Sequence, residues 1–213
     1  LKNTAMQLAD KALAQGATGF ALWLEDGHPG VHGIVASRIV EAFGRPTVCL
    51  SPVYESETHI TGSARGVPGF NVAEAFDRIR ELHPTLLVKG GGHEGAGGLT
   101  IRREDLDKLM QAWDDAVVEQ AASGNMALAP IIYTDGNLPD PVLSDVWQLA
   151  SELAPFGREF EQPIWEGEFR LLNVKGRGDG THLALTLGSG DALYQAIWFN
   201  AREVLPDGQL GPM

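Results

Sequence analysis

The sequence predicts an α/β or α+β domain followed by a small antiparallel β-barrel or half-barrel. Three observations carry that prediction. A strand, a glycine turn, a helix and a strand follow one another near the N-terminus, as in a βαβ unit. A second glycine-rich run precedes a long amphipathic helix. After a weakly patterned stretch, apolar residues alternate at Leu183, Leu185 and Leu187 between glycine turns, the period of a sheet with one covered face.

Taken in order, Met6, Leu8, Ala9, Ala12 and Leu13 predict a helix over residues 4–15, closed near Gly16 and Gly19. Phe20 to Leu24 reads as a buried strand stopped by Glu25, Asp26 and Gly27, with a turn at His28-Pro29-Gly30-Val31-His32-Gly33. From Ile34 to Phe43 apolar side chains recur at three and four, a helix that Gly44 ends before a strand from Thr47 to Leu50. Residues 51–60 read as a polar excursion. Asn71 is placed to cap a helix over Val72 to Glu81, with Glu74 at the capping-box position. Lys89 to Gly98 contains six glycines in ten residues, a density that predicts tight turns, close ligand approach, or both. Leu106, Leu109, Met110, Trp113 and Val117 support a helix from about Arg103 to Gln120.

Ala121 to Ala129 is small and weakly patterned, which places the domain boundary at 122/123. A short helix follows between Ser144 and Leu153. Strands are expected over Phe169 to Val174, Thr181 to Leu187 and Ala192 to Phe199, with turns at 176–180 and 188–190. The chain ends soon afterwards, so the barrel is expected to be incomplete.

Sixteen basic and 28 acidic residues give a net charge of −12. Residues 1–122 hold 11 basic and 16 acidic groups (net −5), and residues 123–213 hold 5 and 12 (net −7). Such a balance disfavours non-specific wrapping of duplex DNA, so any nucleic-acid contact must be local. It leaves room for one well-built phosphate pocket. No run of about 18 uninterrupted apolar residues exists to span a membrane, and no secretory signal pattern opens the chain. The single cysteine, Cys49, cannot pair internally. Its apolar neighbours suit a buried thiol, which fits a reducing, cytoplasmic setting.

Hydrolytic chemistry finds little support. Metal-assisted phosphodiester cleavage needs carboxylates and histidines converging on an ion. The six histidines, at 28, 32, 59, 83, 93 and 182, form no such constellation, so no metal site is expected here. His28 and His32 stand four apart, but Pro29 and Gly30 interrupt the helix that would align them. His59 and His83 read as surface residues, and His182 as a strand–turn residue. Gly62-Ser63-Ala64-Arg65-Gly66 resembles a nucleophile elbow only superficially, because its serine is misplaced. Lys89 precedes the glycine run rather than following it, so there is no P-loop. The two glycine motifs suit phosphate binding through freed backbone amides, with Arg65 as a two-pronged donor and Ser63 and His93 as further donors. The bland reading, two ordinary turns and a solvated arginine, stays open on the residues alone.

Four blocks then carry a resemblance: Gly30-Val31-x-Gly33-Ile34-Val35-Ala36-Ser37-Arg38, Gly44-Arg45-Pro46-Thr47, Gly62-Ser63-Ala64-Arg65-x-x-Pro68-Gly69, and Gly91-Gly92-His93-x-x-Ala96-x-Gly98. In this order and spacing they resemble the C-terminal half of the RecJ-type single-stranded-DNA exonucleases of the DHH phosphoesterase superfamily. Leu153-Ala154-Pro155-Phe156-Gly157 and the strands after it resemble the oligonucleotide-binding (OB) domain that follows in that family. The chain departs from the family pattern at Gly27, where an aromatic is usual, at Ala96-Gly97-Gly98 for Ala-Ala-Gly, and at Glu159 and Phe160 for Gly-Asn.

The resemblance implies a mixed-sheet α/β DHH-associated domain at 1–122 and a small, incomplete OB-like β-barrel at 123–213. It implies a parent enzyme that hydrolyses single-stranded DNA from the 5′ end with Mn2+ or Mg2+ held by an N-terminal DHH domain lying outside this chain, and a fragment inactive alone. His93 is then the supporting substrate-side histidine of the catalytic cleft. Ser63 and Arg65 grip phosphate, Gly91 and Gly92 let the strand approach, and Ser37, Arg38 and His28 flank it. Implied partners are single-stranded DNA, the DHH domain of the same protein and a replication or repair protein. Two alternatives stay open: a fragment of an oligonucleotide or cyclic-dinucleotide phosphoesterase, and a non-enzymatic acidic module that docks on proteins.

Overall fold

The computed structural model describes residues 1–53, 56–138, 148, 150–157, 160–178 and 180–201. The chain divides into two compact units, Leu1–Ile131 and Ile132–Met213.

The first unit begins with helix α1 (Lys2–Ala14). Strand β1 (Phe20–Trp23) leads through a short 3-10 turn (Pro29–Val31) into helix α2 (His32–Phe43). Gly44, at φ 62°, ends α2 in the left-handed conformation that glycine adopts without steric cost, and its N–H closes on the Val40 carbonyl. Strand β2 (Thr47–Val53) runs parallel to β1, and β3 (Ser56–Arg65) returns antiparallel to β2. Helix α3 (Val72–Leu82) starts as predicted, with the Asn71 carboxamide oxygen accepting from the N–H groups of Ala73 and Glu74. Strands β4 (Lys89–His93) and β5 (Ala96–Arg102) form a hairpin, and helix α4 (Leu106–Ala121) follows a second 3-10 turn at Arg103–Asp105. The strand order is β1-β2-β3-β5-β4, a mixed sheet as the α/β expectation requires, with β4 at its edge.

Period-two alternation splits the sheet's side chains between two layers. Phe20, Leu22, Leu24 and Cys49 pack with Val35, Ala36 and Ile39 of α2 and Ala5 and Ala9 of α1. Val48, Leu50, Ile60, Ala64, Leu99 and Ile101 pack on the other face against Phe76 and Ile79 of α3 and Trp113 and Val117 of α4. Helix α4 is pinned to the start of β1 because Asp114 Oδ1 accepts from the N–H groups of both Thr18 and Gly19, each at 2.7 Å. Gly97 lets α3 approach β5: a Cβ there would lie 2.6 Å from Phe76 and 2.9 Å from Val72.

The second unit holds an antiparallel sheet of β6 (Arg170–Arg177), β7 (His182–Ser189) and β8 (Ala192–Trp198), in that order. Register aligns Leu171 with Leu187 and Tyr194, and Val174 with Leu185 and Ala196, so the alternating leucines share one face. Phe169 meets Tyr194 edge-on at 5.6 Å. His182 Nδ1 accepts from the Asn200 N–H at 2.9 Å, a strand-end contact that matches its plain sequence reading. Among the described residues this sheet stays open, the partial OB-like form that the sequence suggests. No helix among them is long and apolar enough to cross a membrane.

Three segments differ from the sequence reading. Residues 51–53 and 56–60 are not an excursion but the end of β2 and the start of β3. Gly62 to Arg65 is strand, and the glycine run at 89–98 is a hairpin rather than a string of turns. In each, cross-strand pairing with distant residues outweighs the weak strand preference of glycine and polar side chains. Of the helix expected at 144–153, residues 148 and 150–152 are helical, while 144–147 and 149 lie outside the described residues, as do Glu159 and, in the expected 176–180 turn, Asp179.

Candidate nucleic-acid interface

Strand pairing brings the two glycine motifs together. Ser63 pairs with Gly98, which pairs with Gly91; Arg65 pairs with Ala96, which pairs with His93. These residues share one face, because Ile60, Ala64, Leu99 and Ile101 of the same strands point the other way into the core with α3. Gly90 also turns toward α3, beside the Arg80 guanidinium. A Cβ on Gly91 would meet nothing within 4 Å, so the face is unobstructed there. The result is a floor of Ala96, Gly98 and Gly91 between Ser63 and Arg65 on one side and His93 on the other.

The proposed source of phosphate donors has to be revised. The amides of these motifs are not freed by turns; they are engaged in the ladder between β3, β5 and β4. The Gly66 N–H bonds to the Gly95 carbonyl and the Val72 N–H to the Glu94 carbonyl. The amides of Ala73 and Glu74 are taken by the Asn71 cap. Side chains, and the outer backbone row of the edge strand β4, are what remain to meet an anion.

Arg65 is half-buried at the end of β3, and its Nη1 donates to the Ala64 carbonyl at 2.8 Å. Its guanidinium lies against Gly33, where a Cβ would collide with Nη2. Among the described residues no carboxylate lies within ion-pair distance of it. His93 is exposed, and its Nδ1 accepts from the Gly95 N–H at 3.2 Å. A neutral ring held that way carries its proton on Nε2, which is then the donor available to a ligand.

The remaining candidates have local duties. His28 Nδ1 accepts from the Gly30 N–H at 3.1 Å and caps the 3-10 turn. The Ser37 hydroxyl donates to the Gly33 carbonyl at 2.9 Å. Arg38 is exposed and paired to Glu41 at 2.8 Å, an i,i+3 contact worth little in water. Gly92 points away from the floor, hard against the Ala96 carbonyl in the hairpin.

His32 shows more than its sequence context suggested. It is the first residue of α2, only 1% exposed, and its Nε2 lies 2.7 Å from the Ser51 hydroxyl. Ser51 Oγ donates in turn to the Pro52 carbonyl at 3.3 Å, so the imidazole donates to Ser51. Burial, and secondarily the nearby His28, holds the His32 pKa below its ordinary value. The unfolded chain therefore takes up a proton that the folded one resists. Stability from this site is complete above about pH 6.5 and declines as pH falls below it. Urea midpoints of the chain should drop between about pH 7.5 and pH 5.5, with a smaller drop in His32→Gln. An equal drop in both would show that His32 does not contribute.

Cys49, paired in register with Ser63, is fully buried, and burial pushes its thiol up to about 12 against a small opposing pull from Arg65. It is a core thiol rather than a nucleophile. Among the described residues no three His, Cys, Asp or Glu side chains gather where they could hold a metal ion. The sequence reading missed His32, Ser51 and Thr61: a hydrogen bond joins His32 of α2 to Ser51, and β2–β3 pairing sets Ser51 beside Thr61, neither of which a local motif announces.

Comparison with known proteins agrees with this architecture. Residues 16–119 match the DHHA1 domain and residues 134–211 the RecJ OB domain. The single-stranded-DNA-specific exonuclease RecJ of Dickeya dadantii (strain 3937) is 33% identical over 196 residues, covering 90% of this chain and 33% of the relative. RecJ of Escherichia coli (strain K12) is 33% identical over 193 residues, covering 89% of this chain and 33% of the relative. The crystal structure of RecJ in complex with Mn2+ from Thermus thermophilus superposes with a TM-score of 0.61 at 26% identity, covering 92% of this chain and 28% of that one. The chain spans about a third of the length of the curated relatives it matches. With both domain matches in order along it, the chain belongs to the RecJ family, as a DHHA1 domain followed by a RecJ OB domain.

Proposed function

We propose that this chain is the substrate-binding portion of a metal-dependent single-stranded-DNA 5′–3′ exonuclease that works in the cytoplasm. Residues 1–122 act as the DHH-associated domain and residues 123–213 as the OB-like domain. The observation that carries the reading is the shared face of Ser63, Arg65, Gly98, Gly91 and His93. An unpaired guanidinium stands at one side of a glycine floor and an imidazole donor at the other. Arg65 offers a fork to phosphate oxygens, Ser63 a hydroxyl and His93 its Nε2 proton, while Gly91 and Gly98 let the backbone of a strand lie close. Ser37, Arg38 and His28 are assigned to flank the bound strand, and the acidic surface to a replication or repair partner.

Phosphodiester hydrolysis by such an enzyme uses Mn2+ or Mg2+, which we assign to the DHH domain of the same protein. The described residues of this chain do not offer a ligand set for the ion. What this chain contributes is the grip, which fixes a phosphate and offsets its charge. The isolated chain should bind labelled oligothymidylate at low salt, with affinity falling as salt rises. It should leave that strand intact in the presence of Mn2+. Absence of binding, or processive degradation, would overturn the proposal.

A further inference from the structure

The open face continues beyond the residues just described. Two positions along β3 from Ser63, Thr61 pairs with Thr100, and Thr100 pairs with Lys89. This row has the same orientation as the grip, because Ile60, Leu99 and Ile101 on either side of it are buried in the opposite layer. Lys89 is exposed, and among the described residues no carboxylate lies within ion-pair distance of it. Thr61 donates its hydroxyl to the Leu99 carbonyl at 2.9 Å, which spends its proton inside the sheet and leaves Lys89 as the charged donor of the row. Between the Arg65–His93 row and this one lies the glycine row of Ser63, Gly98 and Gly91, with no bulky side chain on its β5 and β4 members. Four residues of strand separate the two cationic rows, about 13 Å. Farther out, Arg102 pairs with His59 but stands 3.9 Å from the Asp105 carboxylate, and Glu57 closes the cationic run.

We infer that the Thr61–Thr100–Lys89 row is a second phosphate position, so that a single-stranded polynucleotide runs along β3, β5 and β4 and is held at both ends of the glycine floor. The inference rests on the reading of Arg65 and His93 as the first position. Its occupant is a phosphodiester backbone because the two cationic rows face one side, carry no compensating carboxylate at Arg65 or Lys89, and leave between them a surface flat enough for a sugar–phosphate chain. The spacing makes Lys89 a sensor of length. A dinucleotide held at Arg65 does not reach it, whereas a longer strand does.

The test compares 5′-phosphorylated dithymidylate with an oligothymidylate of about ten nucleotides. Binding to the full 213-residue chain is read by fluorescence anisotropy for the long strand and by amide chemical-shift titration for the short one. Lys89→Ala should weaken the long strand roughly tenfold. It should also reduce the salt slope of binding by about 0.7 and leave the dinucleotide unchanged. Lys89→Arg should restore the long-strand affinity. Unchanged long-strand affinity in Lys89→Ala, or an equal loss for both lengths, overturns the second position while Arg65→Ala still weakens both. If Arg65→Ala weakens neither, the grip itself is wrong and the second position falls with it.

Discussion

Arg65→Ala should weaken binding of single-stranded DNA by roughly ten- to a hundredfold, the effect of losing one charge-assisted contact to phosphate. The guanidinium is half-buried, donates to the Ala64 carbonyl and rests on Gly33, so it is held in place before any strand arrives. Little side-chain entropy remains to be lost on binding, which is why a single arginine can matter in a chain of net charge −12. Arg65→Lys keeps the charge but loses the fork, and should recover only part of the affinity. Gly33→Ala offers a test from the other side. Its new methyl group collides with the end of the Arg65 side chain, which has to leave its seat while the sheet stays as it is. Anisotropy titrations should show weaker binding in Gly33→Ala with the thermal midpoint little changed. Wild-type affinity in Arg65→Ala would remove the central residue of the proposed grip.

Trp113→Ala should cost the first unit about 3–5 kcal/mol, a large share of the roughly 5–15 kcal/mol that holds a domain together. Trp113 is completely buried in α4, 5.5 Å from the Phe70 ring and 6.0 Å from Phe76. Its Nε1 donates to the Pro46 carbonyl at 3.4 Å and so ties α4 to the segment that opens β2. Truncation removes the ring contacts and leaves a cavity beneath the sheet, while the Pro46 carbonyl keeps the Phe20 N–H as its donor. Trp113→Phe refills most of the space and should lose less. The urea midpoint followed by far-ultraviolet circular dichroism measures both. A loss under about 1 kcal/mol for the alanine variant would mean that α4 is not anchored through this residue.

Where local chemistry and tertiary context agree, the sequence is readable. Asn71 caps α3, Gly44 ends α2, and the leucines of β7 share a face, because each signal depends only on near neighbours along the chain. The strands around the interface obey a different rule. On β3 the core-facing positions after Ile60 are Gly62 and Ala64, so the alternation that would mark a strand is nearly silent. In the glycine run the small residues are demanded by neighbours from elsewhere: Phe76 and Val72 of α3 press on Gly97, and the Ala96 backbone presses on Gly92. Read alone, six glycines mean turns; packed, they make a hairpin floor.

The sequence by itself determined the two-part organisation, the Asn71 cap of α3 and the Gly44 stop of α2, the family, and which residues to put forward for phosphate binding. Only the tertiary structure decided that Ser63, Arg65, Gly91, Gly98 and His93 share one face, that their amides are spent in the ladder, and that Lys89 and Thr61 continue the same surface. The physical reason is that side-chain chemistry and helix signals are local. The partner of a β-strand is chosen by residues tens of positions away, and that choice sets which side chains meet.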